Sequence, residues 1–140
     1  MSTKETWYIA GPMTGIPQFN FPAFLDAASR LRGMGYNVIS PAEIDRDETR
    51  LAALNSKDGA EGSGSPNGET WGDFLARDVK LVADEVHGVV FLPDWHKSRG
   101  AVLEAVVALL TKKKFGVFDY EHGILPISYD HVKQRAYGRL

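Results

Sequence analysis

Residues 86–110, VHGVVFLPDWHKSRGAVLEAVVALL, read as strand, loop and helix, and the rest of the chain is organised around them. Val86, Val89, Val90, Phe91 and Leu92 form a short β-branched apolar run ended by Pro93. It is too short for a free-standing helix and suits a strand buried on both faces. Asp94 to Gly100 is a polar loop. Ala101 to Leu110 then passes through good helix formers, with no Gly or Pro before Gly116. Glu104 is the only charge in that helix. A carboxylate one turn into an otherwise apolar helix is either an exposed residue on a half-buried helix or an acid held at a cleft. The carboxyl end of a strand, just before this helix, is where open parallel sheets keep their ligands.

Upstream, Trp7 to Ala10 is a short strand that runs into Gly11, Pro12, Met13, Thr14 and Gly15. A glycine-bearing turn after a strand lets backbone N–H groups approach an anion or a sugar, and it equally serves as a tight turn between strand and helix. GPMTG lacks the lysine of a P-loop and the spacing of a dinucleotide fingerprint. Helical spacing of Phe21, Phe24, Leu25, Ala28 and Leu31 predicts a helix from Asn20 or Phe21 to Arg32, with Pro22 in its first turn. Gly33 and Gly35 stop it, and Tyr36 to Ile39 is a second strand, completing a right-handed βαβ unit.

Ser40 and Pro41 can cap a short helix over Ala42 to Ile44, whereas the mixed charges of Asp45 to Arg50 read as solvated surface. Asn55 to Thr70, NSKDGAEGSGSPNGET, has no large apolar residue and cannot bury enough surface to order itself. It is a flexible insertion, either inert or a lid over a site. Trp71 to Val82 resumes as an amphipathic helix carrying Asp78 among its apolar residues. Past the organising helix, Lys112 to Lys114 suit a helix carboxyl end and Phe115 to Phe118 is a further strand. From Asp119 the chain reads as a packed or partner-contacting extension, rich in Tyr and His, broken by Pro126 and ending in one helix from Asp130.

The order of elements predicts one domain over residues 1–140. It would be a three-layer α/β/α sandwich with a mainly parallel central sheet, Rossmann-like or flavodoxin-like. A net charge of -2 gives no electrostatic case for nucleic acid, so a small molecule is the expected partner. The absence of cysteine excludes disulfides and thiolate metal sites. His87, His96, His122 and His131 show no metal-ligand spacing, so no metal is expected. Neither a signal-peptide core nor a run of bilayer-spanning length appears, and a cytoplasmic protein without membrane contact is expected.

Ser98, Gly100 and Glu104 form S-x-G-x-x-x-E, which brings a hydroxyl, bare backbone N–H groups and a carboxylate to one cleft. Those N–H groups and the helix dipole suit an anion, with Ser98 and Arg99 as donors, although Ser98 also suits a plain helix cap. A carboxylate beside a sugar can attack or stabilise an anomeric carbon as a base departs, with Asp78 as the second acid.

Three stretches in order, Tyr8 to Gly15, Asp78 before Asp84, and Pro93-Asp94 followed by Ser98-x-Gly100-x-x-x-Glu104, resemble the nucleoside 2-deoxyribosyltransferase superfamily. That superfamily includes 2'-deoxynucleoside 5'-phosphate N-hydrolases. The resemblance spans about residues 6 to 118, with the Asn55 to Thr70 loop as an insertion. It implies that Glu104 is the nucleophile, that Asp78 is the acid assisting the nucleobase, and that Tyr8 lies near the nucleophile. By the same likeness Gly11, Pro12, Met13, Gly15, Asp94, Ser98, Arg99 and Gly100 fall on the substrate cradle. Ser98 stands where the monophosphate hydrolases carry serine and the free-nucleoside transferases tend to carry an acid. A hydroxyl can donate to a 5'-phosphate that a carboxylate would repel. Thr14 departs from the arginine of several hydrolases, and Ala105 and Val106 replace a small Gly after the nucleophile.

These residues predict N-glycosidic cleavage of a (deoxy)ribonucleoside 5'-monophosphate without a cofactor, in a homo-oligomer as the resemblance implies. The alternatives are a base-exchanging nucleoside 2-deoxyribosyltransferase, a nucleotide-binding sensor without turnover, or a structural α/β domain that binds partners through its aromatic tail.

Overall fold

A computed structural model describes residues 5–44, 47–60 and 68–140. Five strands form one sheet: β1 (Thr6–Ala10), β2 (Asn37–Ile39), β3 (Gly88–Phe91), β4 (Lys114–Asp119) and β5 (Gly123–Pro126). The spatial order is β2-β1-β3-β4-β5, parallel except for the antiparallel β4–β5 pair. Tyr8 lies opposite Ile39 on one side and Val89 on the other. From β1 the chain steps outward to β2, then returns past β1 to β3, so the strand order reverses at the carboxyl ends of β1 and β3. That reversal opens a crevice for a ligand.

The helices among the described residues are α1 (Phe21–Gly33), α2 (Pro41–Ile44), α3 (Asp47–Leu54), α4 (Trp71–Asp84), α5 (Arg99–Leu110) and α6 (Tyr129–Tyr137). Strand alternation divides the core in two. Tyr8, Ala10, Val89 and Phe91 pack with Val82 of α4, Ala101, Ala105 and Leu109 of α5 and Val132 of α6. Ile9, Val90 and Leu92 pack with Phe24, Ala28 and Leu31 of α1, Ala42 of α2 and Ala53 of α3. The sheet is therefore covered on both faces, and the fold is the three-layer, mainly parallel α/β/α sandwich expected from the order of elements. No described helix is long and apolar enough to cross a membrane.

Two local readings are corrected. The charge run after Ile44 is not merely solvated surface, because Asp47–Leu54 is helical and buries Thr49 and Ala53; Asp45 and Arg46 lie outside the described residues. The extension from Asp119 is packed, with Val132 and Ala136 in the core, and it holds a strand that was not expected: Gly123–Pro126 completes the sheet as an edge strand. Pro126 sits at the last position of that edge, where its missing donor is tolerated. The late helix expected from Asp130 is present as Tyr129–Tyr137, capped by Ser128, whose hydroxyl accepts the His131 N–H at 3.1 Å.

Gly116 is what allows β5 to pair so closely. A Cβ there would lie 2.3 Å from Ile124 Cγ2 and 3.1 Å from the Leu125 carbonyl oxygen. Gly116→Ala is expected to cost about 1–3 kcal/mol, because Ile124 and the edge strand must both shift. Urea unfolding checks this, and an unchanged midpoint would show that the edge strand moves aside freely.

Candidate active site

Glu104 comes from the second turn of α5, a helix otherwise apolar from Ala101 onward, which packs against both α4 and α6. Its residue is only 6% exposed. The open choice left by the sequence is thus resolved in favour of an acid held at a cleft. Tyr8, fully buried on β1, donates its phenol to Glu104 Oε2 at 2.5 Å. Asp78 is presented by α4, is 9% exposed, and accepts from Arg77 Nε at 2.8 Å. Tyr8, Asp78 and Glu104, which the resemblance names together, line a single cleft of about 590 Å³ at the reversal of strand order.

The electrostatics of the pair are uneven. Burial first, and the charge of Asp78 second, push the Glu104 carboxyl well above the usual carboxylate range; the Tyr8 hydrogen bond and Arg77 oppose this. Burial and the two carboxylates likewise push the Tyr8 phenol up, so it remains a donor. Arg77 is ion-paired with Asp78 and also favours the charged form of Glu104.

The start of α5 forms the second half of the site. Ser98 is the N-cap, its Oγ accepting the Ala101 N–H at 3.2 Å, so the cap reading holds, and its own hydroxyl proton remains available for donation. Ser98, Arg99 and Gly100 line the cleft. Arg99 lies 4.8 Å over the ring of Trp71. The first N–H groups of a 12-residue helix and a guanidinium therefore converge there, a setting that favours an anion. Among the described residues, no group of three or more His, Asp or Glu is placed to hold a metal ion.

Not every residue of the expected cradle reaches the cleft. Gly11 and Met13 line it, and Gly11 is also required for packing, since a Cβ there would meet Leu92 Cβ at 2.8 Å. Pro12 and Gly15 do not line it. The Pro12 carbonyl accepts from Asn20 Nδ2 at 3.0 Å, and the Gly15 N–H donates to the Gly59 carbonyl at 2.8 Å. Asp94 stands apart: its side chain is 64% exposed, pairs with Lys97 at 3.5 Å, and borders a separate groove beside Trp95, His131 and Arg135.

Residues 55–60 are ordered by the loop that follows β1 rather than by a core of their own. Besides the bond from Gly15 to Gly59, the Gln18 N–H donates to the Ser56 carbonyl at 2.8 Å, and Gln18 Nε2 donates to the Leu54 carbonyl at 2.8 Å. Gln18, Phe19 and Asn20 all have positive φ, and Phe19 thereby reaches the cleft. The lid reading covers Asn55 to Thr70, of which residues 61–67 lie outside the described residues. Thr70 and Asp73 close the near end of the insertion with a capping box that starts α4.

The sequence did not single out Arg77, Trp71, Phe74, Phe19, Phe21 or Phe24 as site residues, yet all line the cleft. The aromatic residues of α1 and α4 sit at core-like helical spacing, which hides them. Arg77 did carry a signal, a cation directly next to the acid in the middle of an amphipathic helix.

Tyr8→Phe tests the phenol. It leaves the packing nearly intact but removes a hydrogen bond that favours the charged form of Glu104. Any activity that needs ionised Glu104 should fall about 10–100-fold, with its acid limb moved to higher pH. A pH–rate profile reads both.

A family model described as "Domain of unknown function (DUF4406)" matches residues 5–116, from just before β1 into β4. No curated protein matches the sequence.

Proposed function

The chain belongs to the DUF4406 family, and on that premise, with the description of the family naming no activity, we infer from the cleft that the protein is an N-glycosidase. Its substrate is a (deoxy)ribonucleoside 5'-monophosphate, and its products are free base and sugar phosphate. The observation that carries this reading is the buried Tyr8–Glu104 pair facing an arginine-bound Asp78 across a cleft of about 590 Å³. Two carboxyl groups of opposed character are what displacement at an anomeric carbon requires.

In the first step a Glu104 carboxylate oxygen bonds to C1' while the C1'–N bond breaks. The electron pair stays on the base, which takes a proton from Asp78. In the second, Asp78 removes a proton from water, whose oxygen displaces Glu104 from C1'. Tyr8 orients the carboxylate throughout. The apolar wall of Trp71, Phe74 and Phe19 is suited to the flat base. Ser98, the first N–H groups of α5 and Arg99 are suited to the phosphate.

Chromatographic detection of free base, after incubation with nucleosides and their 5'-monophosphates, tests the reading. Base release from monophosphates in preference to nucleosides is expected, with the preference reduced about tenfold in Ser98→Ala if the serine hydroxyl donates to the phosphate. Equal release from both would point to a free-nucleoside enzyme that exchanges bases. Tight nucleotide binding without release would point to a sensor.

A further inference from the structure

Two polar residues of the cleft take no part in the chemistry described above. Thr49 of α3 and Glu69, just ahead of α4, both line it. Thr49 is only 2% exposed, and its Oγ1 donates to Glu69 Oε1 at 3.1 Å. We propose that this pair reads the outer edge of the nucleobase and selects a base that presents two adjacent N–H donors, as guanine does through N1–H and its 2-amino group. The inference rests on the N-glycosidase reading and adds to it the class of base.

The pair borders the part of the cleft suited to a flat ring. α3 packs against the segment Pro17–Asn20 and against α1. Ala53, one turn beyond Thr49 on the same face of α3, belongs to one core cluster with Phe21 and Phe24, and Phe19 packs against that cluster. Ala53 and these three rings also line the cleft, so the Thr49 hydroxyl stands at the margin of an aromatic surface. Glu69 precedes Thr70, the cap of α4, and Asp78 lies just over two turns beyond that cap, about 12 Å along the helix axis. That separation gives a base room to lie with its glycosidic side toward Asp78 and Glu104 and its far edge toward Thr49 and Glu69.

The donor pattern of the base follows from where the protons are. A threonine hydroxyl carries one proton, and that of Thr49 is directed to Glu69, so its oxygen meets a ligand as an acceptor. A carboxylate also only accepts. An edge built from these two groups repels a ring-nitrogen lone pair or a carbonyl oxygen and demands N–H groups. Guanine offers two of them side by side. Adenine and cytosine set an amino group beside a bare ring nitrogen, and uracil and thymine flank a single N–H with two carbonyls. Hypoxanthine keeps N1–H and lacks the amino group, so it differs from guanine only in the feature at issue.

Guanosine and inosine 5'-monophosphates therefore form the decisive pair of substrates. For the wild-type protein, kcat/KM should favour the guanosine nucleotide by about ten- to a hundredfold. In Glu69→Gln, which keeps the shape but turns an N–H toward the edge, the ratio should fall to within about threefold. Thr49→Val, which removes the hydroxyl, should lower the ratio part of the way. A pair that serves only to fasten α3 to the start of α4 would lower turnover of both substrates alike and leave their ratio unchanged, and that result would overturn the proposal. A preference for the inosine nucleotide would overturn it as well. Glu69→Gln decides the matter by itself if Thr49→Val fails to fold.

Titration calorimetry with the same two nucleotides on Glu104→Gln reads the selection without turnover. The guanosine nucleotide should bind more tightly, and adding Glu69→Gln should remove the difference. Selective binding that depends on Glu69, with no base release by the wild type from any nucleotide, keeps the edge recognition and sinks the N-glycosidase reading. Base release with equal use of the two nucleotides does the reverse.

Discussion

Glu104→Gln is expected to abolish base release, by about four orders of magnitude or more, while making the protein more stable at neutral and alkaline pH. The first effect is the loss of the nucleophile, since an amide cannot form the glycosyl ester. The second comes from the burial that drives the Glu104 carboxyl upward. A carboxyl whose folded value is raised binds its proton more tightly in the native state than in the unfolded chain. Its favourable contribution is therefore complete below the unfolded value and is lost as pH rises through the folded value. The glutamine oxygen still accepts from Tyr8 and carries no charge at any pH. The stability gap between variant and wild type should thus be widest at alkaline pH and close at mildly acidic pH. Thermal unfolding across that range measures it, on a scale of roughly 2–4 °C per kcal/mol for a chain of this size. An unstable Glu104→Gln would mean that the carboxylate is a structural anchor rather than an acid held at a cost for chemistry.

Asp78→Asn carries the second large effect. Without the proton donor, base release should fall about 10²–10⁴-fold, least for bases that depart readily without protonation. The pH profile should also move in a defined direction. The charge of Asp78 is the second cause holding Glu104 up, so its removal should bring the acid limb of kcat/KM to lower pH. Arg77→Gln and Tyr8→Phe move the same limb upward, because Arg77 and the phenol favour ionised Glu104. Three substitutions around one carboxyl, shifting one limb in two predictable directions, are difficult to reproduce by general loosening of the fold.

The layered fold was legible because its signals are local. The run Val89 to Leu92 and the apolar helix of Glu104 each announce their own period, and alternation along β3 delivers Val90 and Leu92 to one core and Val89 and Phe91 to the other. β5 was hidden because Gly123–Pro126 is an edge strand of four residues ending in proline, defined by its pairing with Gly116–Asp119 rather than by its own pattern. The helix Asp47–Leu54 was masked by its charges, which hide in composition the burial of Thr49 and Ala53.

The site divides in the same way. Tyr8, Asp78 and Glu104 sit on regular elements, where spacing fixes direction, and they converge as expected. Pro12, Gly15 and Asp94 sit on loops, where long-range hydrogen bonds and an ion pair decide what each residue faces. Asp94 adopts φ of +64° at the end of β3 and turns away, and the sequence carries no mark of that choice. Arg77 required knowledge of its partner. Only the ion pair at 2.8 Å shows that this cation is the partner of Asp78.

The most direct test is intact-protein mass spectrometry after incubation with a 2'-fluoro-2'-deoxynucleoside 5'-monophosphate, whose fluorine slows the second step more than trapping prevents. A mass increase of one fluorinated sugar phosphate, mapped to the peptide containing Glu104 and absent from Glu104→Gln, is the predicted result. Base release with no adduct on Glu104, or an adduct on another residue, would contradict the assignment of Glu104 as the nucleophile.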